Sequence, residues 1–155
     1  FRVDVPVMRH IQLELASFNN LLPCFFHRKW MFVRANLGEG HFITSDHPVC
    51  LMWSDPEERE HLMFPPGFGL RGTDVLFPIS KDLALCGRFE GEDSEHQANR
   101  LVIAAFNGGV IAYAERQVYG PDERFAYMMD LAEGPRPGAE LVRDHRFRRA
   151  RRDAE

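Results

Sequence analysis

"KWMFVRANLGEGHFITSDHPVC", residues 29–50, is the stretch on which the fold turns. An aromatic, β-branched run, "KWMFVRA", has strand composition. "NLGEG" follows, with two glycines able to supply the positive φ of a turn. "HFITS" then has strand character again. The reading is an antiparallel hairpin pairing residues 29–35 with 41–45. The second strand stops at Ser45-Asp46-His47-Pro48, and Pro48 cannot donate to a ladder.

Upstream, "DVPVMRHIQLELASFNNLL" reads as a helix that Asp4 can cap, with Pro6 near its first turn. Ile11, Leu15, Phe18 and Leu22 recur at helical spacing and mark one face. Asn19-Asn20 and Pro23 weaken or end it, and "CFFHRKW" is either a further helical turn or a bend. Downstream, residues 54–72 hold three Pro and three Gly and read as a long irregular excursion. A loop of that length in a compact domain is functional or mobile. "TDVLFPIS" is a strand, with Pro78 placing an edge or terminus there. "KDLALCGRF" is a further strand and "EGEDSEHQ" an acidic solvated loop. "NRLVIAAF" is a buried strand or a helix, which periodicity alone does not separate. Asn107 then stands as an N-cap for a helix running to about Gln117. "VYG" is a last short strand. Pro121 and the acids after it open a second helix over "PDERFAYMMDLA".

These elements give an α+β fold. The sheet is mixed or mainly antiparallel, with an N-terminal helix and two C-terminal helices packed on it. Residues 1–133 form one domain, and 134–155 are a linker and a disordered arginine-rich tail. The 155 residues are enough for one ordinary domain, and 45% hydrophobic content with 13 Phe is enough for its core.

Charge narrows the partners. The net charge is −4, yet residues 143–155, "RDHRFRRARRDAE", are locally basic. An acidic body with a basic tail is not the pattern of a dedicated nucleic-acid binder, so nucleic acid enters at most weakly through the arginine tail. No apolar run reaches the ~20 residues of a membrane span, and no signal peptide is visible. Three widely spaced cysteines without C-x-x-C exclude a disulfide scaffold and a zinc ribbon, and point to a reducing cytoplasm.

Four segments, in order, resemble one bacterial family, the domain of unknown function numbered forty-two thirty-eight. They are "RKWMFV" (28–33), "FITSDHPV" (42–49), "VLFPIS" (75–80) and "FNGGVIAYAERQVYGP" (106–121). They correspond to that family's aromatic strand with Trp, F-I-T-S-D-N-P, L-F-P-L-S, and an Asn-led segment ending A-E-R-x-V-Y, and the match covers roughly residues 8–121. His47 stands where the family has Asn. The family pattern also includes an upstream H-x-V-P-x-F/Y-L segment, so a site to which that segment contributes is only half present in residues 1–155. The resemblance implies no established activity. It makes Ser45-Asp46-His47 the densest point of the pattern.

Chemically, Asp46 can act as acid, base or orienting group, and His47 titrates near neutral pH. Ser45 assists, and Arg116 is placed as an electrostatic partner that holds Asp46 ionised. These four are the candidate catalytic residues of a hydrolase-like site. The alternative is an Asx-turn in which Asp46 accepts main-chain N–H groups and Ser45 caps the strand. Asn107, followed by two Gly, is a candidate anion-binding helix start as well as a cap, and it is taken with Trp30 as a ligand-binding candidate. His41, Asp46 and His47 are close in sequence, but alternation puts Asp46 on the other face, so no metal site is assigned. The sequence specifies no cofactor. Cys50 lies in apolar "VCLMW" and reads as core. The reading that competes with an enzyme acting on a small molecule is a non-catalytic domain docking a partner protein.

Overall fold

The computed structural model describes residues 7–55, 65–130 and 132–144. Helix α1 spans Val7–Phe26. Strands β1 (Lys29–Ala35), β2 (Thr44–Ser45), β3 (Cys50–Trp53), β4 (Thr73–Ser80), β5 (Leu83–Arg88) and β6 (Ser94–Ala98) follow. Helix α2 spans Arg100–Tyr113. β7 (Val118–Tyr119), β8 (Ala126–Tyr127), β9 (Arg136–Pro137) and a 3₁₀ turn over Gly138–Arg143 complete the described chain.

The main sheet has the order β3-β4-β5-β1-β6, antiparallel throughout except that β1 and β6 run parallel. The fold is therefore α+β with a mixed, mainly antiparallel sheet. The expected hairpin of 29–35 with 41–45 does not form. Both edges of β1 are occupied, by β5 and β6, so the chain after the glycine turn has no free edge to return to. Gly38 and Gly40 do adopt positive φ, 83° and 117°. The turn they make delivers Phe42 and Ile43 into the core, with the Phe42 N–H donating to Lys81 O at 2.9 Å. β2 then pairs with β7 instead.

The acidic segment read as a loop contains β6. Its side chains are mostly exposed, as suits an edge strand whose charges discourage pairing with other chains. Pro78 lies where β3 has already ended, since that ladder stops at Cys50↔Leu76, so β4 is an edge strand there, and its register with β5 shifts between Pro78 and Ser80.

One face of the sheet is core. The cross-strand row Cys50, Leu76, Cys86 and Met31 packs under Ile103, Phe106, Val110 and Ile111 of α2. The opposite face is less covered. Trp30 lies over Gly87, where an added Cβ would meet its ring at 2.5 Å. The adjoining row Phe77, Leu85 and Phe32 leaves both phenylalanines exposed. Arg28 is buried, and its guanidinium donates to the carbonyls of Thr73, Gly87 and Phe68 and to Thr73 Oγ1. This one side chain fastens the end of the 65–72 loop to β5.

α2 settles the "NRLVIAAF" ambiguity in favour of a helix. Its N-cap is Asn99, whose side chain accepts from the Val102 N–H at 3.1 Å. Asn107 is not a cap: it lies mid-helix and is fully buried. The helix expected over residues 121–132 is also absent among the described residues. Asp122 accepts the Arg124 N–H at 2.8 Å and its guanidinium, which holds a local turn in place of a first helical turn. The chain then runs extended through β8, with Phe125 and Tyr127 in the core.

Residues 136–144, within the 134–155 stretch expected to be linker and disordered tail, fold back on the domain. β9 pairs with β8, Leu141 is buried, and buried Asp144 accepts from Tyr127 Oη and from the Arg136 guanidinium, both at 3.0 Å. The arginine run 145–155 lies outside the described residues.

α1 is present as expected and continues through Pro23 to Phe26. It is not packed on the sheet, however, and none of its residues is buried. Among the described residues only its last turn is anchored, where Phe25 stacks on Trp30 and meets Phe68 at 5.1 Å.

Candidate functional site

The strand end at residues 44–48 and the exit of α2 at 114–119 are held together by side chains from each. Asp46 accepts the Glu115 N–H on Oδ1 at 3.1 Å and the Arg116 N–H on Oδ2 at 2.8 Å. Its own N–H donates to Gln117 O at 3.2 Å. Desolvation works upward on this carboxyl, but the main-chain amides of Arg116, Gln117 and Glu115 outweigh it and hold the group below its ordinary 3.8. Asp46 is thus an acceptor for a tight turn after α2, and Arg116 reaches it through its main-chain amide.

Ser45 is buried, and its Oγ accepts the His47 N–H at 3.1 Å, a two-residue side-chain turn. The His47 ring is exposed, with Nδ1 3.6 Å from Glu115 Oε1. Ser45, Asp46, His47 and residues 115–116 therefore come together, but the Ser45 hydroxyl is taken up by the His47 amide and the Asp46 carboxylate by the amides of Glu115 and Arg116. Asn107 lies one layer inward. Its Oδ1 accepts the Ile43 N–H at 3.0 Å, and its Nδ2 donates to His41 O at 2.9 Å and Ala126 O at 2.8 Å. The amide clamps two segments that would otherwise leave buried main-chain groups unpaired. Gly108 serves the same junction: an added Cβ would meet Met128 O at 1.9 Å, so "NGG" is a notch that admits the 126–128 backbone. Trp30 sits elsewhere, its Nε1 donating to Phe25 O at 3.2 Å.

Two open grooves flank β7. One, of about 380 Å³, is lined by residues 116–119 with Leu141 and Val142; the other, of about 410 Å³, lies between residues 42–44, 78–81 and 119–121. Neither is lined by Asp46 or His47. Burial raises the Cys50 thiol to about 12 and the Cys86 thiol to about 11, the reverse of an activated nucleophile. Among the described residues no three His, Cys, Asp or Glu side chains gather into a metal-binding group, and no helix is long and apolar enough to cross a membrane.

Sequence reasoning missed the surface of α1. Val7, Met8, Leu15 and Phe18 are 58–75% exposed. The spacing of Ile11, Leu15, Phe18 and Leu22 was legible as a face; that the described part of the domain leaves this face exposed was not.

The chain belongs to the family described as "Protein of unknown function (DUF4238)", which matches residues 3–124. No curated protein and no solved structure matches it significantly. The matched region contains Asn107 and both segments joined by Asp46, and it ends just before Ala126, one of the Asn107 partners.

Proposed function

We propose that this chain is a non-catalytic docking domain that presents α1 to a protein partner. The observation that carries this reading is α1 itself: a 20-residue helix with no buried residue and large apolar side chains along its length. Helices apolar on most sides are found covered. Most helical stability in proteins comes from packing one face, which α1 lacks along most of its length, and this helix also contains Pro23 and Asn19-Asn20. A covering partner offsets both costs. The polar corner at Asp46 supports the same reading, because its carboxylate and the Ser45 hydroxyl are both engaged by main-chain amides. The three unpaired cysteines favour a cytoplasmic setting.

The test is site-specific photo-cross-linking in cells, with a photoreactive phenylalanine analogue in place of Phe18 or, as control, of exposed Lys29. A discrete protein adduct from position 18 and none from position 29 is expected. Equal or absent labelling at the two positions contradicts a docking role.

A second reading places hydrolase-like chemistry at Ser45, Asp46 and His47 with Arg116. It is favoured by the exposed His47–Glu115 pair beside Asp46. Hydrolysis of some ester or phosphoester by the purified chain, abolished in His47→Ala, is the result this reading requires.

A further inference from the structure

We infer that the partner covering α1 is a second copy of the same chain, joined by a two-fold helix pair. The inference rests on the docking role proposed above and specifies its occupant.

Met8, Ile11, Leu15, Phe18, Leu22 and Phe25 follow one another at alternating steps of three and four residues. This is an unbroken a/d seam of the kind that packs knobs into holes against another helix. No charge falls on it. The flanking positions carry Gln12, Glu14, Asn19 and Leu21, so Glu14 is the one ionisable group beside the seam, and it already pairs with His10 on its own helix at 3.3 Å. A copy of this surface meets no row of like charges when laid on itself, which is the condition for an isologous contact.

Twenty residues make a helix about 30 Å long and about 10–12 Å across, so half of its flank is roughly 500 Å². Two such faces together remove about 1,000 Å², the lower bound of a specific interface. The seam does not stop at the helix end. Phe25 stacks on Trp30, and Trp30 opens onto the sheet face that bears exposed Phe32 and Phe77. This continuity extends the contact beyond the minimum.

Arg9 is the only Arg or Lys in α1. Helices that lie on anionic membranes carry several Lys or Arg on the polar face, and a nucleic-acid surface needs the same. An apolar, nearly uncharged seam selects another apolar helix, and the identical one is always present at matching concentration.

The test is sedimentation equilibrium of the whole chain over about a hundredfold range of concentration. The wild type is expected to show a two-chain mass that falls to one chain on dilution. Leu15→Glu with Phe18→Glu should raise the dissociation constant at least about 100-fold, because two charges would enter a desolvated seam. Leu15→Met with Phe18→Leu should keep the pair. If the charged double variant does not fold, Leu15→Gln alone is measured in its place, with weakening of the pair expected. A one-chain mass for the wild type throughout, a mass that grows beyond two chains, or a dimer unaffected by the charges overturns the inference. If the wild type is monomeric yet cross-links from position 18 to a different protein, the second copy is excluded and docking stands. If it is monomeric and does not cross-link, both fall.

Discussion

Replacing Asn107 isolates the junction on which the fold depends. The side chain is fully buried and makes three hydrogen bonds, each to main chain. Asn107→Ala removes all three and orphans the Ile43 N–H and the Ala126 carbonyl in the interior. Each orphaned buried group costs about 1–3 kcal/mol, so a loss of about 3–5 kcal/mol is expected. In a chain of this size that lowers Tm by about 10 °C, and a total stability of about 5–15 kcal/mol is left small. Asn107→Asp gives a sharper signature. One oxygen can still accept from Ile43, but the other is forced against the carbonyls of His41 and Ala126. That raises the folded-state pKa of the new carboxyl. A raised folded pKa leaves stability intact below the unfolded value of about 3.9, and stability is lost as pH rises toward the folded value. Urea unfolding of Asn107→Asp across pH should therefore show a deficit that grows from acid to neutral pH. An alanine variant within about 1 kcal/mol of wild type, or an aspartate deficit that does not change with pH, refutes the clamp.

Three other outcomes follow from the same geometry. Asp46 has a depressed folded pKa, so its contribution is present above the ordinary 3.8 and lost as pH falls through the folded value; in Asp46→Asn that acid limb of the stability profile should be missing. Gly108→Ala drives a methyl into Met128 O, and loss of the folded protein in expression and circular dichroism is expected, whereas the same change at Gly134, where an added Cβ meets nothing within 4 Å, should leave a folded chain strained only by its φ of 73°. Iodoacetamide should modify Cys24 in the native chain and reach Cys50 and Cys86, whose thiols are buried and raised, only on unfolding.

Much of this fold was legible because its signals are local. "TDVLFPIS" and "KDLALCGRF" carry strand composition, and they pair through a two-residue connection. What misled was pairing over distance. The stretch from Lys29 to Ser45 looks like a hairpin because its turn chemistry is genuine; only the occupancy of both edges of β1 by β5 and β6 forbids it, and those strands lie about fifty or more residues downstream. Asn99 and Asn107 are equally good caps by composition, and the choice depends on which one the 126–128 backbone needs inside. At the candidate site, the nearness of Asp46 to residues 115–116 was anticipated. That contact was expected through the Arg116 side chain and main-chain acceptance only within a local Asx-turn; the carboxylate instead takes the amides of Glu115 and Arg116, a long-range pairing no residue type announces. The exposure of α1 was hidden for a further reason: an apolar helical stripe reads as core whether or not the same domain covers it.

A docking role for α1 requires that the helix belong to the surface and not to the interior. The direct measurement is the urea midpoint of Leu15→Glu with Phe18→Glu against wild type, both diluted until each sediments as one chain. A midpoint equal to wild type within about 0.5 kcal/mol, as for surface positions, is the predicted result. A loss of about 3 kcal/mol or more, as when charges enter a packed core, would make α1 part of this domain's own interior and remove the docking surface.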